Sequence, residues 1–219
     1  MRGAMRGRSS LYSVVMAVAL SLPAHAEAQG GFEEHQVGFG VRLALPRSWR
    51  LDSESELSAG RERTLDRMKV STVKELRDIA ASNANTLVFR ARDQDVRGNV
   101  ANMNVTVGSN TKESFTVLTR AQVDAMVDGL CRVFAKQTTD MRGTGKCLDH
   151  ELVTLANRKV LVLHQEANVP AAGIDNRRTV VMIPADGLLF TLSISLKRAD
   201  YDPAVVRAIM ASVKLPQGF

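Results

Sequence analysis

The chain has 219 residues, with 29 Lys and Arg against 23 Asp and Glu, which gives a formal net charge of +6. Aromatic residues are few and like charges are dispersed, so the composition excludes a nucleic-acid binder with a basic stripe and stacking platforms. The length suits one domain with a sizeable core.

The first 26 residues have the pattern of a secretory signal peptide. Three arginines among the first eight residues precede an apolar run over residues 11–22, and Ala24-His25-Ala26 supplies small residues for cleavage. The run is shorter than a membrane span. We therefore expect cleavage after Ala26, no stable membrane anchor afterwards, and a periplasmic or secreted location. The cleaved chain would keep 26 Lys and Arg against 23 Asp and Glu, a net charge of +3.

A polar N-terminal tail over residues 27–36 is predicted to lead into a single domain over residues 37–219. Apolar and polar residues alternate from Phe39 to Leu45, which predicts a strand that ends at Pro46. The turn after it is predicted to bring Trp49 into the core.

The next elements are a helix and a hairpin. Apolar positions at near-helical spacing predict a helix from about Arg61 to Ala81, and the Ser- and Glu-rich stretch before Gly60 is predicted to be a loop. Alternation over residues 87–92 and 101–107 predicts two strands, which are joined by a loop containing Gly98.

The second predicted helix begins with a capping box. Thr119 is followed three residues later by Gln122, and the apolar stripe behind them runs to about Lys136. A polar loop with Gly143 and Gly145 is predicted next.

The C-terminal part is predicted to contain most of the strands. Two of them, over residues 148–156 and 159–167, are predicted to meet in a tight turn at Asn157-Arg158. An exposed loop follows over residues 168–176, and a hairpin turning at residues 184–187. The cleanest strand runs from Leu188 to Leu196 and precedes the closing helix.

The order of these elements predicts an α+β fold with an antiparallel sheet. An early strand ends in Pro46 and Trp49, hairpins follow, and the final strand enters a helix that begins with Asp202-Pro203, with Asp202 as N-cap. In this order the chain resembles the PsbP-like and DcrB-like proteins. The resemblance implies an αβα sandwich with about six to seven strands and about three helices. It also implies an exported or lumenal accessory protein that binds rather than catalyses.

Cys131 and Cys147 are the two cysteines of the chain. In an oxidising compartment a disulfide is the economical interpretation. The alternatives are a reactive thiol near His150, or a zinc site formed by both cysteines with His150 and His164. Cys147 and His150 are three positions apart, so on a regular strand they would face opposite sides, which disfavours zinc.

An acidic patch is predicted on the hairpin that turns at residues 157–158. That turn would place Glu151 opposite His164 and Asp149 opposite Glu166, so the four side chains are metal-ligand candidates. Ion pairing with the arginines that begin the next strand is favoured over a divalent cation.

The polar faces of the predicted strands form a candidate binding surface, since part of this sheet face would be either solvated or a groove. Its residues are Arg42, Arg90, Arg92, Asn102, Asn104, Thr106, Thr191, Ser193 and Ser195. We expect an anion- or peptide-accepting surface centred on Arg90, Arg92 and Asn104.

No recognised catalytic motif accompanies these features. The segment from Gly143 to Cys147 is similar to a phosphate loop, but it lacks the first glycine and the Ser or Thr that would hold magnesium. We therefore expect an exported, non-catalytic binding or accessory protein of the cell envelope, without a cofactor, whose partner is a protein or envelope component. One alternative is a small-ligand or cation carrier that uses the acidic patch. Another is an enzyme with its site near His164 and Glu151.

Overall fold

A computed structural model describes residues 31–69, 87–93, 102–109, 115, 118–185 and 188–216. The predicted signal peptide, the predicted loop around Gly98, the turn at residues 186–187 and the predicted helix beyond Lys69 lie outside the described residues.

The N-terminal part contains a hairpin that the sequence pattern did not indicate. The elements are β1 (Phe32–Gly38), β2 (Val41–Pro46), β3 (Trp49–Leu51), α1 (Glu54–Lys69), β4 (Leu87–Asp93) and β5 (Asn102–Ser109). The prediction of a polar tail over residues 27–36 is wrong from Phe32 onward. Backbone hydrogen bonds pair β1 with β2, beginning with Phe32 opposite Pro46, and such pairing does not require apolar side chains.

Helix α1 begins earlier than predicted, so the stretch before Gly60 is helix and not loop. The cause is a capping arrangement at its start. The Glu56 amide donates to Ser53 Oγ at 3.3 Å, and the Ser53 amide donates to Glu56 Oε2 at 2.8 Å. This reciprocal pair satisfies backbone donors that would otherwise be free at the helix N-terminus.

The C-terminal part contains α2 (Arg120–Asp140), β6 (Thr144–Leu155), β7 (Arg158–Val169), β8 (Ile174–Ala185), β9 (Leu188–Lys197) and α3 (Pro203–Ala211). The capping box of Thr119 and Gln122 is confirmed, although α2 continues past Lys136 to Asp140. The start of α3 is also confirmed, because Asp202 Oδ1 accepts a hydrogen bond from the Ala204 amide at 2.7 Å.

Two connections in this part are shorter than predicted, and the β6–β7 turn lies one residue earlier than predicted. Strands β6 and β7 turn at Ala156-Asn157, where φ is 46° and 63°, as a two-residue type I′ turn requires. The polar loop predicted around Gly145 is also shorter, since β6 already begins at Thr144. Between β7 and β8, the connection is a 3₁₀ turn over Pro170–Ala172 followed by Gly173 (φ 65°), because both strands extend into the predicted loop over residues 168–176.

The described strands form a seven-stranded antiparallel sheet in the order β3-β4-β5-β9-β8-β7-β6, and β1 and β2 form a separate hairpin. The hairpin and α3 cover the first face of the sheet, which contains Phe89, Met103 and Phe190. Trp49 is 5% exposed in this layer, which confirms its predicted burial.

Helices α1 and α2 lie on the second face, whose residues alternate with those of the first. Helix α2 packs Val123 and Val127 against Leu161 and Leu163 at the β6–β8 end. At the other end, Gly60 of α1 lies directly against the Arg90 guanidinium. The α+β sandwich predicted from the element order is confirmed.

Candidate functional site

A row of polar side chains crosses the second face of the sheet. Backbone pairing places Arg92 opposite Asn102, Asn102 opposite Ser195, Ser195 opposite Arg178, and Arg178 opposite Gln165. Residues paired in this way share a face. The row therefore has Arg92 near one end and Arg178 near the other, and these two arginines have different surroundings.

At the first end, Arg90 and Arg92 share the carboxylate of Asp52. Arg92 Nε donates to Asp52 Oδ1 at 2.7 Å, and the Arg90 guanidinium pairs with Asp52 Oδ2. The Asp52 side chain is fully buried, and its amide donates to the Arg90 carbonyl at 2.9 Å. We call Asp52, Glu56, Arg90 and Arg92 the arginine clasp.

Glu56 extends the clasp toward solvent. Its carboxylate receives two hydrogen bonds from Arg50, at 2.7 and 2.9 Å, and lies 3.4 Å from Arg92 Nη2. The hydrogen bonds from Arg50, followed by those from Ser53, hold the pKa of Glu56 far below its ordinary value. The cations of the predicted anion-accepting surface are thus already offset by carboxylates of the same chain.

Arg42 does not join this surface. It lies on β2, in the separate hairpin, and its Nη1 is 3.1 Å from Glu34 Oε1. The neighbouring residues of β2 pack on the first face of the main sheet, so Arg42 belongs to another part of the protein surface.

Arg178, at the second end of the row, has no described carboxylate within ion-pairing distance. Its Nε donates to Gln165 Oε1 at 2.9 Å, and its guanidinium lies 4.8 Å from the centre of the Phe134 ring. Burial lowers the pKa of Arg178 to about 10, which still leaves it a cation at neutral pH. Arg178 was not singled out as a binding residue from the sequence.

Arg178 lines a cleft of about 600 Å³ between α2 and the second face. One side is apolar and is formed by α2, β7, β8 and the start of β9; the other carries amides and hydroxyls from β5 and β9. The apolar side comprises Leu130, Val133, Phe134, Leu163, Val180, Met182 and Leu189. The polar side includes Asn104, Thr106, Thr191 and Ser193. Among the described lining residues, Arg178 is the charged one.

Asn104 connects the cleft to the clasp. It lines the cleft, while its Nδ2 donates to Asn102 Oδ1 at 3.1 Å. Its Oδ1 is buried and has no hydrogen-bond partner among the described residues. The predicted groove on this face is therefore present, but it is centred nearer Arg178 than Arg90 and Arg92.

A disulfide fixes the helical wall of the cleft. Cys131 of α2 and Cys147 of β6 are bonded, with their Cα atoms 5.8 Å apart, which confirms the predicted bond. Gln165, the partner of Arg178, also places its Nε2 3.6 Å from Cys147 Sγ. Because both sulfur atoms form the disulfide, neither is a free thiol or a zinc ligand, and the reactive-thiol and zinc alternatives are wrong.

One argument made against zinc from the sequence is also wrong. A bulge between Cys147 and His150 shifts the register, so both residues face α2. His150 Nε2 lies 2.9 Å from Asp124 Oδ1 of that helix.

The glycines of the phosphate-loop-like segment have a packing role. Gly145 lies within β6, where a Cβ atom would collide with Thr138 and come within 3.1 Å of Phe134 Cε1. The absent side chain lets the end of α2 approach the sheet. This approach sets the position of Phe134 over Arg178.

The predicted acidic patch does not form. The two-residue turn at 156–157 places Glu151 opposite Val162 instead of His164, and the bulge places Lys146 opposite Glu166 instead of Asp149. Lys146 Nζ lies 3.2 Å from Glu166 Oε2.

His164 is likewise engaged elsewhere, with its Nδ1 3.0 Å from Thr179 Oγ1. Within the described part of the chain, no three His, Cys, Asp or Glu side chains converge as metal ligands.

Two other hollows are less suited to a ligand. One of about 860 Å³ lies beside the β6–β7 turn and is bounded by Pro216, the last described residue. Another, of about 470 Å³, is a shallow depression around the disulfide. Arg158 beside the first hollow donates to the Pro184 carbonyl at 3.4 Å, and Arg132 and Lys146 beside the second are exposed, whereas Arg178 in the cleft lies against the Phe134 ring.

The fold and the cleft thus define a class, an α+β sandwich with a partly open sheet face. The chain is similar to the solution structure of cyanobacterial PsbP (CyanoP) from Synechocystis sp. PCC 6803, with a TM-score of 0.55 and 12% identity over 90% of this chain and 99% of that one. The chain therefore has a PsbP-like fold. No protein-family model and no curated protein matches it.

Two further solved structures are similar at a lower level. A Bacteroides thetaiotaomicron protein has a TM-score of 0.33 and 9% identity over 87% of this chain and 50% of that one. A Pseudomonas aeruginosa protein of unknown function, PA94, has a TM-score of 0.38 and 10% identity over 85% and 99%. At these TM-scores, neither similarity supports a conclusion about this chain.

A helix that spans a membrane must be both long and predominantly apolar, and the helices in the described ranges can be judged on both properties. None of them is both long enough and apolar enough to cross a bilayer.

Proposed function

We propose that this chain is an exported, non-catalytic binding protein whose ligand occupies the cleft between α2 and the second face. The observation that carries the proposal is Arg178, a partly buried cation without a described carboxylate partner, in a cleft of about 600 Å³. Small-molecule sites have this size and this combination of apolar walls with a few polar groups. The disulfide and the N-terminal sequence pattern support export.

The cleft favours the small-ligand alternative over the expected protein or envelope partner. A concave site of this volume suits a small molecule, whereas stable protein–protein interfaces bury about 800 Å² on each partner. The described lining has amides, hydroxyls and one guanidinium, without a histidine, cysteine or carboxylate. The hydroxyls could act as nucleophiles only beside a general base, and the described lining offers none, so it supports binding rather than catalysis.

A substitution at Gly129 of α2 tests the proposal. Gly129 lines the cleft, and a Cβ atom there would contact nothing within 4 Å. Leucine is also a better helix former than glycine, so Gly129→Leu should fill the cleft while the fold is retained. Ala125→Leu is the matched control, because Ala125 is exposed on the same helix.

The proteins would be produced in their native cell and examined by native mass spectrometry. We expect wild type and Ala125→Leu to carry a small molecule that is released on denaturation, and Gly129→Leu to be free of it. Equal loading of all three proteins would place the ligand outside the cleft. Wild type without a bound molecule, combined with no thermal shift in a metabolite screen, would refute a small-ligand function.

A further inference from the structure

The charge of Arg178 is incompletely compensated by the described protein groups. Its Nε and Nη2 both donate to the same neutral oxygen, Gln165 Oε1, and Phe134 adds a cation–π contact. Neither neighbour neutralises a cation, and burying an unpaired charge is costly. A guanidinium also presents a planar fork of donors that matches a carboxylate.

The cleft changes from charged to apolar along β8. Arg178, Val180 and Met182 are alternate residues of that strand and all line the cleft. At about 3.3 Å per residue, Arg178 and Met182 are separated by about 13 Å along the strand. Leu189 extends the apolar end on β9, and Val133, which is 37% exposed, forms part of the rim.

A single guanidinium selects against ligands of higher charge. Recognition of a phosphate generally uses several cationic or backbone donors that converge on one point. The described lining offers one cation, and its amides and hydroxyls are spread along β5 and β9. A second negative charge on the ligand would therefore be desolvated without compensation.

We propose that the cleft binds a small molecule with one carboxylate and an elongated apolar body. The carboxylate pairs with Arg178, and the body lies along β8 toward Met182 and Leu189, against Val133 and Phe134. The amides and hydroxyls of β5 and β9 line its other edge. This assignment rests on the proposed function, because it names the chemical class of the ligand for the same cleft.

Three probes with unbranched chains of nearly equal length separate the effects of charge and apolar surface. Decanoate, decanol and decyltrimethylammonium would be titrated calorimetrically into the full chain below their aggregation concentrations. We expect decanoate to bind at least about tenfold more tightly than decanol, since a desolvated charge-assisted pair contributes more than about 1.4 kcal/mol. Decyltrimethylammonium should bind more weakly than decanol because Arg178 repels it.

Two arginine variants then locate the interaction. Arg178→Met should remove the preference for decanoate, so that decanoate binds no more tightly than decanol, and continued decanol binding shows that the cleft is still folded. Arg177→Met is the matched control, since Arg177 lies on the opposite sheet face over Tyr201, at 4.5 Å from the ring centre. This variant should keep the preference for decanoate.

The outcomes distinguish this assignment from the proposed function. If decanol and decanoate bind wild type equally, and Gly129→Leu removes both, the carboxylate assignment is overturned while the binding cleft stands. A decanoate preference that survives in Arg178→Met also overturns the assignment. If no probe binds and the native protein carries no small molecule, both the assignment and the proposed function are overturned.

Discussion

The arginine clasp and the Arg178 cleft lie toward opposite ends of the same sheet face. Both contain arginine, but the arginines of the two regions have different partners. In the clasp, the buried carboxylate of Asp52 contacts both Arg90 and Arg92. In the cleft, Arg178 has an amide oxygen and an aromatic ring as neighbours. An arginine that its own chain neutralises holds the fold together, whereas one left without a carboxylate retains the capacity to bind one.

The difference originates in the elements that cover each end. The chain leaving β3 brings Asp52 and the capped first turn of α1, with Glu56, over β4. Helix α2 instead presents Leu130, Phe134 and Gln137 to the cleft. Four predictions test this contrast, in order of decreasing expected effect.

The largest effect is expected from removing the shared carboxylate of the clasp. Asp52→Asn leaves two partly buried guanidinium groups without their main partner, so the free energy of unfolding should fall by about 3–5 kcal/mol. Urea unfolding followed by circular dichroism measures the change. Glu34→Gln, which alters an exposed ion pair with Arg42 and Lys214, is the control and should hardly move the midpoint. A similar small shift in both variants would show that the clasp is not structural.

Removing the disulfide should affect the cleft more than the arginine clasp. Cys131 and Cys147 are 16 positions apart, and a bond closing such a loop contributes about 3 kcal/mol, so the double Cys131→Ala, Cys147→Ala variant should be less stable by that amount. Hydrogen exchange should accelerate in α2, the wall of the cleft, much more than in the first turn of α1. Equal acceleration in both helices would mean that the regions are not independent.

The same substitution should have opposite effects at the two ends of the row. Arg178→Met removes an incompletely compensated cation from apolar surroundings, so stability should stay equal or rise by about 1 kcal/mol. Arg90→Met removes charged hydrogen bonds to buried Asp52 and should cost about 2 kcal/mol. Chemical unfolding at neutral pH compares the two variants. Destabilisation of both to the same extent would make Arg178 a structural arginine.

Sequence motifs formed by residues close together in the chain predicted much of the fold. The capping box of Thr119 and Gln122 and the Asp202-Pro203 helix start each depend on residues a few positions apart, and both were found in the structure. The register of β6 and β7 was missed because a one-residue error in the position of a turn changes every pair that follows. That error, with the bulge after Cys147, produced the acidic patch that the structure does not contain.

The cleft could be predicted only in part. The alternation of Arg178, Val180 and Met182 was visible in the sequence and indicates a cation on an otherwise apolar strand face. The sequence pattern does not show that Gln165 and Phe134 would be its neighbours, because that depends on strand order and on where α2 lies. The clasp had a readable signal as well, since Ser53 and Glu56 have the spacing of a capping box.

The smallest effect is expected from the pH dependence of the clasp. Hydrogen bonds from Arg50 and then Ser53 lower the pKa of Glu56 in the folded state below its ordinary value of 4.5, so the carboxylate stabilises the fold above that pH. This stabilisation is lost progressively as the pH falls below 4.5. Lowering the pH by about two units, from pH 5 to pH 3, should therefore destabilise Glu56→Gln less than wild type. The solvent exposure of this side chain keeps the difference small.

Urea midpoints measured at several pH values test this expectation, and Arg178→Met is the contrasting variant. The pKa of Arg178, about 10, lies far above this range, so its substitution should leave the acid dependence parallel to that of wild type. A slope altered by Arg178→Met would reveal a carboxylate that pairs with Arg178 in the folded chain. Because the charge of Arg178 would then already be offset internally, that result would also remove the main reason for expecting a carboxylate ligand.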